Sequence, residues 1–128
     1  MTKAHVVIVD DNEIGIKVLG EMLSALDVSY TAIQDPTHLE SISDELTYVD
    51  AIFLDLEMPK IDGYEMLAIL KDDLRVSSPI IAYSVHTAEM TTARELGFDG
   101  FLGKPLQRNR FHEQLERILN GEQVWEVS

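Results

Sequence analysis

Asp55 closes the apolar run Ala51-Ile52-Phe53-Leu54, and Asp10 and Asp11 follow another, His5-Val6-Val7-Ile8-Val9. Charged side chains are seldom buried without partners. Carboxylates delivered by two apolar strands to one end of a sheet are therefore either solvated at its edge or placed to react. Three clustered acids repel one another unless a hard divalent cation joins them, and Mg²⁺ prefers oxygen ligands while keeping several waters. The chemistry that calls for this set is phosphoryl transfer to a carboxylate, with the ion neutralising both the nucleophile and the incoming phosphoryl oxygens. Ser84, after the run from Pro79 to Tyr83, offers a hydroxyl to a phosphoryl oxygen, and Lys104, after Gly100 to Leu102, offers a positive charge. Asp55 is the natural nucleophile because its strand lies between the others. Lys104 precedes Pro105, and an X-Pro bond can adopt cis at modest cost, which would aim the amine into the pocket.

The elements needed to position these groups are legible. Apolar runs at His5 to Val9, Ala51 to Leu54 and Pro79 to Tyr83, with weaker ones at Val28 to Ile33 and Gly100 to Leu102, alternate with longer amphipathic segments. Near-continuous apolar strands suit a parallel sheet covered on both faces, so the pattern predicts five βα units. The fold class expected is α/β, a doubly wound parallel sheet with functional groups at the carboxyl ends of the strands. Helices are predicted over roughly 13–26, 37–43, 64–71, 87–96 and 107–120. Pro36 and Thr37 suit a helix start, and Gly97 and Gly121 suit left-handed caps. Phe111, Leu115, Ile118 and Leu119 form one apolar stripe for the core. Residues 1–121 form the predicted domain. Residues 122–128 read as a short tail with Val124 and Trp125 resting on its surface, where an exposed Trp could also anchor a partner or a dimer contact.

The chain of 128 residues fits one domain able to bury a core without cross-links. Cysteine is absent, which removes thiolate nucleophiles and zinc-thiolate sites and is compatible with a reducing cytoplasm, the expected location. A formal net charge of −13, with ten scattered Lys and Arg, argues against nucleic acid as a partner. No apolar stretch approaches the roughly 18 residues of a membrane span, and the first residues do not read as a signal peptide. His5, His38 and His112 lack zinc-ligand spacing and read as surface or packing residues. Asp62, alone after its run, reads as a turn or helix cap.

Asp10-Asp11-Asn12, Asp55 within Asp-Leu-Glu-Met-Pro-Lys-Ile-Asp-Gly, Ser84 and Lys104-Pro105, each after its own apolar run, together resemble the receiver domain of two-component response regulators over essentially the whole chain, in its CheY-like, stand-alone form. By that resemblance the sheet is a five-stranded, flavodoxin-like one of order 2-1-3-4-5, and Asp55 is the phosphoacceptor, taking a phosphoryl group from a phosphohistidine on a histidine kinase or a histidine phosphotransfer protein. Asp11 and Asp55 would ligate Mg²⁺, for which Mn²⁺ can substitute; Asp10 would help through water, and the backbone carbonyl of Glu57 would complete the protein ligands. Ser84 and Lys104 would contact the phosphoryl group. Phe101 matches the aromatic switch position, and phosphorylation would reshape the surface of the fourth helix, fifth strand and fifth helix for a downstream protein effector or a second copy of the chain. Such a module is a switch with only self-phosphorylation and self-dephosphorylation chemistry, not an enzyme.

Several residues depart from the family pattern. Val85 stands where a small residue is usual, which would narrow access for the donor. Phe101 lacks a tyrosine hydroxyl, so an outward position would gain no hydrogen bond. Glu57 and His86 flank the phosphoryl site and are expected to tune the lifetime of the acyl phosphate. The alternatives are a relay intermediate and a binding module that uses the receiver fold without phosphorylation. A haloacid-dehalogenase-like phosphatase would place Asp-x-Asp on the first strand. A nucleotide carrier would want a glycine-rich loop there. Asp10-Asp11-Asn12-Glu13 fits neither.

Overall fold

The computed structural model describes residues 4–35, 38, 43–46, 48–59 and 61–127. Strands β1 (His5–Val9), β2 (Ser29–Ile33), β3 (Ala51–Asp55), β4 (Ile80–Ser84), β5 (Gly100–Gly103) and β6 (Trp125–Glu126) form one sheet in the order β2-β1-β3-β4-β5-β6. Each neighbouring pair is parallel. Among the described residues five α-helices accompany them: α1 (Glu13–Ala25), α2 (Ser43–Leu46), α3 (Gly63–Ala68), α4 (Met90–Leu96) and α5 (Arg108–Leu119). The sheet is therefore the doubly wound one expected, with one more strand at its edge.

Strands β1, β3 and β4 are buried along nearly their whole length because alternate side chains enter two cores, whereas β2 keeps Ser29, Tyr30 and Ala32 exposed at the sheet's edge. Val6, Ile8, Phe53 and Tyr83 point to the side where Leu19 and Leu23 of α1 and Phe111, Leu115 and Ile118 of α5 pack. Val7, Val9, Leu54, Ala82 and Phe101 point to the other side, against Met66 and Leu67 of α3 and Ala93 of α4. Burying one such side chain contributes about 1.5–3 kcal/mol. A one-residue slip in register would carry each of them to the opposite core, so the ends of the strands are strongly fixed.

Asn12 starts α1 by accepting the amides of Ile14 and Gly15 at 2.9 and 3.1 Å. Asp62 caps α3 by accepting the Tyr64 amide at 2.8 Å. Gly97, at φ 108°, closes α4, and Gly121, at φ 90°, follows α5. α3 continues into a π turn over Ile69–Asp73, and a 3₁₀ turn over Thr87–Glu89 leads into α4. Most of the helix predicted over 37–43, with Pro36 and Thr37 at its start, lies outside the described residues.

The segment after Gly121 departs from the expected surface tail. Val124 is fully buried, its carbonyl accepts the Phe101 amide at 2.8 Å, and Trp125 and Glu126 pair with Phe101 and Leu102. The reason lies in β5, which has glycine at both ends: a Cβ at Gly103 would overlap the Val127 carbonyl, so the missing side chains leave room for a neighbouring backbone. Such a short pairing has no periodicity to read in a sequence.

Candidate functional site

The chain reverses direction across the sheet between β1 and β3, and loops from the carboxyl ends of β1, β3, β4 and β5 meet at this point. Strand register sets Asp55 beside Tyr83 and Ser84 beside Gly103. Asp10, Asp11 and Asp55 each bring a carboxylate oxygen within 4.8 Å of the others. Asp10 and Asp55 are buried while Asp11 is half-buried. Three oxygen donors converging this closely are a fit for a small hard cation.

Each acid has its own support. Asp55 Oδ1 accepts the Glu57 amide at 2.9 Å and the Lys104 ammonium at 3.0 Å. Burial pushes the Asp55 carboxyl up, yet the Glu57 amide, a bond from Asp10 and the Lys104 charge together hold it below its ordinary value. Asp10 goes the other way. Burial pushes it up to about 6, against bonds from Tyr83 and the Asn12 amide that pull it down, and the Asp55 carboxylate raises it further. The Tyr83 hydroxyl donates to Asp10 Oδ2 at 2.6 Å and the Asn12 amide to Oδ1 at 2.9 Å. Burial and the neighbouring Asp10 raise the Tyr83 phenol well above its usual range, so it remains a donor. Two acids with opposite shifts result, one ionised and one poised.

Lys104 enters from the β5 side, with its ammonium 4.4 Å from the centre of the Tyr83 ring and its peptide bond to Pro105 in cis. Ser84 is fully buried; its Oγ accepts the His86 amide at 2.9 Å and donates to Glu89 Oε2 at 3.4 Å. Glu57 does not face solvent freely. Its Oε1 accepts the Val85 amide at 2.7 Å, which ties the loop after β3 to the loop after β4. His86 and Val85 are exposed, and Val85 is 56% so. Phe101 is wholly buried, inside the α3/α4 core rather than outward. Trp125 of β6 lies beside Phe101 and packs against the same core.

Three contributors were not singled out in the sequence. Tyr83 was counted as part of an apolar run, although a buried tyrosine needs an acceptor for its hydroxyl. Gly15 lies in α1, where glycine costs about 1 kcal/mol relative to alanine; a Cβ there would stand 2.6 Å from Asp10 Oδ2. A glycine tolerated inside a helix was the available signal. Glu89 carried none, because its approach to Ser84 depends on the 3₁₀ turn.

Apolar side chains surround the mouth of the pocket. A cleft of about 280 Å³ beside Lys104 is lined by Val18, Leu19, Tyr83, Val85 and Leu106, among others, and Ile14 on α1 is 74% exposed. No helix among the described residues is long and apolar enough to cross a membrane.

A family model described as the response regulator receiver domain matches residues 6–116. The chain is 29% identical to probable histidine kinase 2 of Oryza sativa subsp. indica over 91% of its length, and spans only 13% of that relative. It is 29% identical to the polar-differentiation response regulator DivK of Brucella ovis, covering 93% of this chain and 98% of DivK. Among solved structures, the receiver domain of the sensor histidine kinase PA1611 from Pseudomonas aeruginosa, with magnesium coordinated in its active-site cleft, superposes with a TM-score of 0.75 at 23% identity. The match covers 94% of this chain and all of that one.

Proposed function

Because the chain belongs to the response regulator receiver domain family of two-component signalling, we propose that Asp55 accepts a phosphoryl group from a phosphohistidine and that the resulting acyl phosphate switches a protein-binding surface. The observation that carries this reading is the state of Asp55. It lies buried at the end of the central strand, yet is held ionised by the Glu57 amide and Lys104, with Asp10 and Asp11 beside it.

The residues divide the work. The bonds to Oδ1 orient the carboxylate so that Oδ2 attacks phosphorus. The new P–O bond forms as the P–N bond to imidazole breaks, and the leaving ring nitrogen keeps the bonding pair. Mg²⁺, held by Asp11, Asp55 and the Glu57 carbonyl, with Asp10 acting through water, would supply charge neutralisation for the phosphoryl oxygens. Lys104 would turn from Asp55 toward one of those oxygens, and the Ser84 hydroxyl would turn from Glu89 toward another. Asp10, kept protonated more readily than Asp55, limits repulsion in the metal-free pocket.

The donor would dock where Ile14, Val18 and Val85 expose apolar surface around the cleft. A phosphohistidine reaching Asp55 must pass this rim, and Val85 narrows it. A histidine kinase or phosphotransfer protein fits the company of the relatives, one of which is named as a histidine kinase. Intact-protein mass after incubation with Mg²⁺ and acetyl phosphate tests the proposal. One phosphoryl adduct on the wild type and none on Asp55→Asn is expected. An equal adduct on both, or none on either, contradicts it.

A further inference from the structure

The outer edge of β5 holds an extended segment with one acidic side chain, Glu126. Four of the five arginines of this acidic chain, Arg94, Arg108, Arg110 and Arg117, lie on α4 and α5, the helices that flank this edge. Glu126 is seated among them: its Oε1 accepts Arg110 at 2.8 Å and Gln114 at 2.8 Å, and its Oε2 accepts Arg117 at 3.0 Å. Beside it the Arg94 guanidinium lies 5.1 Å from the centre of the Trp125 ring. Gly100 and Gly103 admit the backbone of 124–127, since a Cβ at Gly100 would meet the Val124 carbonyl at 2.9 Å. The edge therefore offers backbone pairing, a cationic seat for an acid and a cation over an aromatic ring.

The occupant is not fully satisfied in this seat. β6 pairs over only two residues, and the Trp125 Nε1 is buried with no acceptor among the described residues. Two of its supports, Arg94 over Trp125 and Gly103 against Val127, lead back to the acid pocket. Ser84 donates to Glu89, which enters the turn leading into α4 and thus to Arg94 above Trp125. Lys104, bonded to Asp55, directly follows Gly103, against which Val127 packs.

We propose that the β5 edge, framed by Arg94, Arg110 and Arg117, is a docking groove for an extended apolar–aromatic–acidic–apolar segment of a partner protein, that residues 124–127 are its built-in placeholder, and that phosphorylation of Asp55 releases them. This rests on Asp55 being the phosphoacceptor. Drawing Ser84 and Lys104 toward a phosphoryl group shifts α4 and the end of β5, the two elements that grip Trp125 and Val127. A partner strand of the same pattern then pairs with β5.

Trp125 is the sole tryptophan and reports its own release. The full chain is phosphorylated with acetyl phosphate and Mg²⁺, the adduct is quantified by intact mass, and acrylamide quenching of Trp125 is followed in the same sample. In parallel, a fluorescein-labelled synthetic peptide of residues 121–128 is titrated and its anisotropy read. Release predicts a red shift and stronger quenching in step with the adduct, and peptide binding to the phosphorylated chain alone. Arg94→Gln, at an exposed position, should strengthen quenching without phosphorylation. Full adduct with unchanged quenching, or equal peptide binding to both forms, overturns the placeholder while leaving the phosphoacceptor intact. No adduct overturns both.

Discussion

Replacing Tyr83 with Phe removes one hydroxyl and no packing volume of consequence, and its effect should fall on Asp10. The hydroxyl donates to Asp10 Oδ2 at 2.6 Å in a fully enclosed setting. A hydrogen bond to an ionised group contributes about 1.5–3 kcal/mol, and about 1.4 kcal/mol corresponds to one pKa unit. Asp10 would then rise from about 6 to between roughly 7 and 8. At pH 7 the protonated fraction would grow from about a tenth to between about half and nine-tenths. If only ionised Asp10 supports the cation, Mg²⁺ affinity at pH 7 should fall by roughly twofold to tenfold, and the pH midpoint of binding should move up by about one to two units. The sign for stability follows from the same shift. The folded chain keeps a proton that the unfolded chain releases near 3.8. Stability without metal should therefore decline as pH rises from about 4 to about 6, and Mg²⁺ should restore it. Calorimetric Mg²⁺ titrations of wild type and Tyr83→Phe between pH 5.5 and 8 measure this. Superimposable affinity profiles would refute the role assigned to the Tyr83–Asp10 bond.

Other consequences are equally specific. Gly15→Ala gains about 1 kcal/mol of helix propensity but sets a Cβ 2.6 Å from Asp10 Oδ2, an overpacking worth about 1–3 kcal/mol. Urea unfolding should show no gain and a loss of up to about 2 kcal/mol, and a clear gain would contradict the close approach. The Gln114 bond, then Arg117 and Arg110, outweigh burial and hold Glu126 below its ordinary carboxylate value. Its stabilisation of β6 should thus be complete above that range and fade as pH falls through the folded pKa. Trp125 emission should follow this acid transition in wild type and lose it in Glu126→Gln; an unchanged transition would count against the clamp. Glu57→Ala frees the Val85 amide and should change the decay rate of the Asp55 phosphoryl adduct, as should His86→Ala, with adduct formation retained. Unaltered decay in both would remove them as determinants of lifetime.

The sheet and the acid pocket were readable because both follow from local rules. Apolar runs buried on both faces announce parallel strands, and carboxylates at their ends cannot be core. Asp62 reads as a turn or helix cap for the same reason, since a short polar side chain before apolar periodicity has few other uses. What escaped depends on contacts between distant segments. Tyr83 donates to a residue 73 positions away, and β6 forms because glycines in β5 leave space, which no pattern in residues 122–127 reveals. Phe101 lies beside Trp125 in the sheet, a neighbour that its own stretch of sequence does not reveal. Glu57 was expected to flank the site from its spacing alone, and its bond to Val85 gives it a tether that spacing could not show.

The central claim is that the carboxylate of Asp55 itself becomes phosphorylated. Borohydride reduction of the chain after reaction with Mg²⁺ and a phosphohistidine donor, followed by peptide sequencing, tests this directly, because an aspartyl acyl phosphate is reduced to homoserine. Homoserine at position 55 alone, dependent on Mg²⁺, is the predicted result. Homoserine at position 10 or 11, or a borohydride-resistant phosphate on Ser84, would contradict it.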